Sequence, residues 1–268
     1  MSVPADLAIA GAGLVAGTIN TIVGSGSLIT FPTLLAFGYT PVVANVSNTV
    51  GLVPGSLSGA VAYRAELRGQ SRRIAPLGVS SIAGALVGAG LLLALPGRVF
   101  RHVVPVLILV ACVLVAVQPR LAARRGRNAS PRAPSGPGPG AMSDGPRARR
   151  DESRGPVLLA SVFASGVYGG YFGAAQGVIL VSLLGIFVDD HIQRLNAAKN
   201  VLALLVNAAA AVVFIAASHV AWEAAGLVAL GSAVGGQVGG VVGRRLPAPL
   251  LRLIIIAAGV SAAVALLV

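Results

Sequence analysis

The sequence is short of charge and of cysteine. Only 10% of its 268 residues are Asp, Glu, Lys or Arg, whereas a soluble domain carries about a quarter. That deficit excludes an ordinary water-soluble globule. With Cys112 as the only cysteine, a disulfide framework or a cysteine-based metal site within one chain is excluded as well, and the redox compartment stays open. The eight acidic residues are Asp6, Glu66, Asp144, Asp151, Glu152, Asp189, Asp190 and Glu223. All lie near segment ends or in the central polar stretch, so no apolar run carries the mid-membrane carboxylate of a proton relay. Met1 to Asp6 has no basic residue, and the apolar segment behind it has no convincing cleavage site. It is not read as a secretory signal peptide.

What the chain has is hydrocarbon: 56% hydrophobic residues and a mean hydropathy of +0.87. Residues 74–95, 99–118, 200–217 and 249–268 form apolar runs of the roughly 18 to 20 residues that a helix needs to cross a bilayer. They are apolar all round, not alternating in segments of about ten, which excludes a β-barrel. The fold class is therefore an all-α polytopic membrane protein. The net charge of +12 is no nucleic-acid footprint, because nine of the 20 basic residues fall between Arg120 and Arg154 among Pro, Gly and Ser. Such a stretch cannot bury enough apolar surface to fold and reads as a disordered linker. Short basic loops stay in the cytoplasm, and contact with anionic lipid is a secondary use.

The chain repeats itself. At an offset of about 150, Gly17 and Gly24 meet Gly166 and Gly173; then Asn45 meets Asn196, Gly84 and Gly88 meet Gly235 and Gly239, Leu95-Pro96 meets Leu246-Pro247, and Arg101 meets Arg252. The organisation is a first membrane repeat over 1–118, a basic linker over 119–155 and a second repeat over 156–268. Each repeat has a Gly-rich segment A (7–38; 156–188) followed by three spans, B, C and D. In the first half the B–C loop carries Arg64, Arg68, Arg72 and Arg73. In the second half that loop has no Lys or Arg, and the basic residues Arg244, Arg245 and Arg252 fall at the C–D turn. This exchange of charged loops is the signature of inverted repeats. Inversion requires an odd number of crossings per half, so segment A is expected to be a hairpin that contributes none or two. A cytoplasmic linker then puts both termini outside, although Arg98 and Arg101 sit on the outer side against the rule.

Segment A is interrupted by Gly24-Ser25-Gly26-Ser27 in one half and by the run from Gly169 to Gly177 in the other. Broken backbone at membrane depth survives only where protein or a watery cavity covers it. Paired breaks in corresponding places point to a transport site. Free N–H groups at a helix start attract anions, which makes Ser25, Gly26, Ser27 and Gln176 candidate ligands for a small anionic substrate. The ordinary alternative is that these glycines only permit close packing. Span B opens with a second polar cluster: Asn45, Ser47, Asn48 and Thr49 in one half, and Asn196, Lys199 and Asn200 in the other. At helical spacing Asn45 and Asn48 share a face, as do the second three. Lys199 either faces substrate or snorkels to the surface. Asn20 and Asn207 read as helix-to-helix hydrogen-bonding residues. Gly13/Gly17, Gly84/Gly88 and Gly235/Gly239 pack helices either within one chain or between subunits of a homo-oligomer.

These segments resemble the TauE/SafE family of membrane permeases. The resemblance rests on Gly17 to Gly26 followed by Pro32, Gly38 and Pro41, on Ala44-Asn45 through Thr49, and on Gly169-Gly170, Gly173, Gly177, Asn196 and Lys199. It covers nearly the whole chain except the linker. It implies a multi-pass inner-membrane protein handling small organosulfur or sulfur oxyanions such as sulfite or sulfoacetate; with an inside-negative potential favouring outward movement of an anion, an exporter or a potential-driven uniporter without a cofactor is expected. Ala174-Ala175-Gln176 stands where the family favours more glycine, a departure that bears on substrate.

Gly24-Ser25-Gly26 is similar to the serine motif of intramembrane proteases, but the nucleophile needs a base, and His102, His191 and His219 all lie at segment ends. No enzymatic activity is expected. The glycine fingerprint at Gly11-Ala12-Gly13 lacks the acidic residue of a dinucleotide site. A membrane scaffold without transport, or a carrier of an unrelated solute, stays as the alternative.

Overall fold

The computed structural model describes residues 3–128 and 147–242 together with Leu253, Ile256, Ala257, Val260 and Val264. These residues form helices and no strands: α1 (Val3–Ile22), α2 (Ser27–Ala36), α3 (Pro41–Ala62), α4 (Ser71–Ala94), α5 (Gly97–Asn128), α6 (Arg147–Tyr171), α7 (Gln176–Phe187), α8 (Ile192–Ala217) and α9 (Trp222–Val242). Among the described residues, five stretches are long and apolar enough to span a membrane: Val3–Ile22, Ser71–Ala94, Gly97–Ala116, Ile192–Ala217 and Trp222–Val241. Large apolar side chains such as Val79, Leu230 and Val241 stand exposed on the outside of the bundle, which water would not tolerate in such number. The span expected over 249–268 lies, apart from the five positions above, outside the described residues. So does the middle of the basic linker, whose flanks are helical to Asn128 and from Arg147.

Both expected hairpins are present, as α1–α2 and α6–α7, and each breaks in the same way. Gly24 donates its N–H to Ile19 O at 3.1 Å, and Gly173 donates to Tyr168 O at 3.0 Å. Both glycines hold positive φ, +87° and +74°, which turns the chain out of the helix at little cost only without a Cβ. The arms are unequal: α1 has 20 residues, about 30 Å, and α2 has 10, about 15 Å. At the far end of α2, Gly38 N–H bonds Leu35 O and Tyr39 N–H bonds Leu34 O, a Schellman closure. Pro41 then opens α3, where a missing N–H is harmless.

The halves pack on one another reciprocally. α1 lies along α9 and α6 lies along α4, while α3 meets α9 and α4 meets α8. Small residues make both long contacts. A Cβ on Gly17 would fall 2.3 Å from Ser232 O and one on Gly235 2.1 Å from Leu14 O; one on Gly88 would fall 2.0 Å from Val167 O and one on Gly170 2.2 Å from Ala85 O. The glycine pairs singled out in the sequence are therefore spent inside the chain, where backbones approach closely enough for dispersion to hold helices together in lipid.

Loops also meet across the halves. At one end of the bundle Arg73 Nη2 lies 2.8 Å from Asp190 Oδ2, with Arg194 Nε 3.1 Å from the same carboxylate, and Gln70 Nε2 donates to Arg194 O at 3.1 Å. At the other, Ala221 N–H donates to Ser47 Oγ at 2.9 Å. The α3–α4 loop thus shares an end with the α7–α8 loop, and the start of α3 shares one with the α8–α9 loop.

Candidate substrate site at the helix breaks

The two breaks touch at their tips. Gly177 N–H donates to Gly24 O at 3.0 Å, and a Cβ on Gly24 would sit 2.3 Å from Gly177 Cα. Only glycine opposite glycine allows that approach. Phe31 of α2 meets Phe172 edge-on at a ring-centroid distance of 5.2 Å, and Phe100 of α5 stands 6.1 Å from Phe172. This apolar wall shields the crossing on one side. Just beyond it Ala175 adopts φ +56°, a left-handed conformation that costs a non-glycine residue about 1–2 kcal/mol. Strain of this kind tends to sit where function demands it.

Each broken helix end is held by the opposite half. Asn45 of α3 donates to Tyr171 O at 3.1 Å. In the other direction, Asn196, Lys199 and Asn200 of α8 all reach the last turn of α1: Asn196 Nδ2 to Thr21 O at 3.3 Å, Asn200 Nδ2 to the same oxygen at 3.4 Å, and Lys199 Nζ to Asn20 O and Thr21 O at 3.0 Å each. The shared face expected for these three is realised. Asn45 and Asn48, by contrast, part company: Asn48 turns to its own hairpin, donating to Ser27 Oγ at 3.2 Å and accepting from Thr30 Oγ1. Thr49 hydroxyl bonds Asn45 O on its own helix at 2.9 Å.

Lys199 does not snorkel. It is fully buried and is the only buried charged side chain among the described residues; it is also the only lysine in the chain. An unpaired ammonium in hydrocarbon is very costly, and its compensation here is two carbonyls at the negative end of the α1 dipole. The sequence pointed to Lys199 but not to Asn20 and Thr21 as its partners, since a backbone carbonyl has no residue-type signature. Asn20 and Asn207 behave as read, both donating to Ser56 Oγ, at 3.3 and 3.1 Å. Ser56, which ties α1, α3 and α8 together, escaped sequence reasoning because an isolated serine in an apolar run is unremarked.

Around the tips the unpartnered buried groups are mostly hydrogen-bond donors, with Asn45 Oδ1 a buried acceptor also without a partner among the described residues. Ser25 Oγ and Gln176 Nε2 are buried without a partner among the described residues, and the N–H groups of Ser25, Gly26, Ser27, Ala174 and Ala175 have none either. The Gln176 amide lies against Gly169, where a Cβ would come within 2.4 Å of it. No carboxylate belongs to this cluster. Buried polar groups are normally paired, each unpaired one costing about 1–3 kcal/mol, and donors without acceptors are the complement of an oxyanion. No base contacts Ser25 Oγ, and among the described residues no three His, Cys, Asp or Glu side chains converge as a metal site.

The sequence profile described as "Sulfite exporter TauE/SafE" matches residues 9–266. The chain belongs to the TauE/SafE family. Its similarity to curated membrane transporter proteins covers most of the chain. "Probable membrane transporter protein YfcA" of Escherichia coli K12 is 26% identical over 265 residues, covering 93% of this chain and 85% of the relative. "Probable membrane transporter protein ORF9" of Sinorhizobium sp is 26% identical over 263 residues, covering 96% and 90%. A "Probable membrane transporter protein" of Haemophilus influenzae is 26% identical over 231 residues, covering 85% and 80%. No solved structure matches the chain. This TauE/SafE protein is accordingly a multi-pass membrane transporter.

Proposed function

We propose that this transporter exports a small oxyanion of sulfur or an organosulfonate, such as sulfite or sulfoacetate, across the inner membrane. The observation that carries the reading is the cluster of donors at the crossing of the tips, buried at Ser25, Gly26 and Ala174 to Gln176 and half-buried at Ser27, with no carboxylate among them. Asn45, Asn196, Lys199 and Asn200 stand behind these donors and tie each broken helix end to the opposite half, while Asn48 and Thr49 bond within the first half and complete the proposed lining. An inside-negative potential favours outward movement of an anion by about 2.3 kcal/mol per charge per 100 mV. The export therefore needs no coupled ion.

Two inverted repeats whose tips alternately seal a central site provide the mechanism. The loop contacts support the inversion. Arg73 and Asp190 bond each other, which brings the α3–α4 and α7–α8 loops to one end of the bundle; with one crossing each for α4 and α5, this favours a second hairpin that returns to the face it enters. An even hairpin followed by three spans gives an odd count per half. The basic linker then lies in the cytoplasm and the termini outside.

The test is thermal stability of the purified protein with sulfite, sulfoacetate, thiosulfate or sulfate. A bound anion raises the melting temperature by mass action. One anion should stabilise the wild type selectively, and Gln176→Ala and Ser25→Ala should weaken the effect. If no anion shifts the wild type, the substrate class is wrong. In vesicles, flux that ignored an imposed potential and followed a proton gradient would refute the uncoupled mechanism.

A further inference from the structure

The position of Lys199 has a meaning beyond that of a counter-charge for substrate. Its ammonium does not face the donors at the tips; it is turned onto Asn20 O and Thr21 O, 3.0 Å from each. Carbonyls freed at the C-terminal end of a broken membrane helix are the groups that coordinate a small cation in transporters of this general build. The flanking amides complete such a shell. Asn196 and Asn200 both point at Thr21 O, and rotation of either amide would present an oxygen in place of its nitrogen. The matching end of α6 differs: Asn45 reaches Tyr171 O, and the residue in register with Lys199 is Asn48, which faces Ser27 and Thr30. Of the two broken helix ends, that of α1 is thus met by a fixed cation and that of α6 by an amide. Its stem also touches the crossing, since a Cβ on Gly177 would lie 3.0 Å from Lys199 Cδ.

We propose that Lys199 is a tethered cation occupying, between the carbonyls of Asn20 and Thr21, the place that a free alkali-metal ion would take, so that closure of the tips and passage of the anion are independent of sodium. The transport half of this inference rests on the anion-export reading; the cation site does not. Removing the side chain leaves four oxygens able to converge: Asn20 O, Thr21 O and the two asparagine amides. Lys199→Ala and Lys199→Gln therefore acquire a requirement that the wild type lacks.

Two readouts test this. Melting temperatures of purified wild type, Lys199→Ala and Lys199→Gln are compared in choline, sodium, lithium and potassium chloride at matched ionic strength, and sulfite flux is followed in proteoliposomes in the same salts. The wild type melts and transports alike in choline and sodium. At least one variant melts lower in choline and is restored saturably by sodium or lithium, while its flux in choline falls roughly ten- to hundred-fold, the size of a lost charged hydrogen bond. Wild-type dependence on sodium would overturn the proposal, as would variants that no alkali cation stabilises or that stay unfolded in sodium as in choline. If wild-type sulfite flux were absent, the anion reading would fail by itself, and the melting series would still decide the cation site.

Discussion

Replacing Gly24 with alanine tests the contact on which the site depends. Two costs add there. The backbone holds φ +87°, which costs alanine about 1–2 kcal/mol. The new Cβ would also meet Gly177 Cα at 2.3 Å and Gly177 C at 2.8 Å; because these are backbone atoms they cannot swing aside, and such overpacking costs about 1–3 kcal/mol. The sum is about 2–5 kcal/mol, or roughly 4–20 °C of melting temperature for a chain of this size. Two companions separate the terms. Gly38 has the same φ of +87° but nothing within 4 Å of its Cβ position, so Gly38→Ala isolates the backbone term at about 1–2 kcal/mol. Gly177 has no positive φ, and its Cβ would fall 2.4 Å from Gly24 Cα; Gly177→Ala isolates the steric term. A thiol-reactive dye that fluoresces on reaching the buried Cys112 reports unfolding of each variant. Equal losses for Gly24→Ala and Gly38→Ala would show that the tips do not touch and would remove the geometry from which the site was built.

Other expectations follow from the same contacts. The hydrogen bond from Arg73, with help from Arg194, holds the Asp190 carboxyl well below its ordinary 3.8, at about 2. Its contribution to stability is then fully present above pH 3.8 and is lost as pH falls towards 2; Asp190→Asn should flatten that part of a melting-temperature profile, and an unchanged slope would refute the pairing. Asn45 is the one side chain that donates to Tyr171 O among the described residues, whereas Thr21 O receives three. Asn45→Ala should therefore cost about 1 kcal/mol and Asn196→Ala less than half of that, a ranking that thermal melts would reverse if the caps were not load-sharing. Ser56→Ala leaves the Asn20 and Asn207 amides without their common acceptor and should lower stability by about 1–2 kcal/mol; no loss in denaturant titration would count against that node.

The sequence by itself determined that this is a helical membrane protein, where its hairpins break, and which family it belongs to. Apolar runs of spanning length, paired Gly-rich interruptions and the Asn45/Asn196 register are one-dimensional signals, because the bilayer and the helix impose fixed periods on the chain. It also picked out Asn196, Lys199 and Asn200 as one face, since spacing along a helix is enough for that. What those side chains face was decided only by tertiary structure. Lys199 was readable as a substrate ligand or a snorkelling residue, and it proved to cap the broken end of α1. Asn48, on the same helical face as Asn45, turned to its own hairpin instead. The glycine pairs were ambiguous between internal packing and packing between subunits until Val228, Ser232, Phe163 and Val167 appeared opposite them. In each case the missing partner was a backbone carbonyl or a neighbouring helix from the other half. A backbone atom is the same in every residue, and a contact between halves depends on how two repeats dock, which no spacing within one of them encodes.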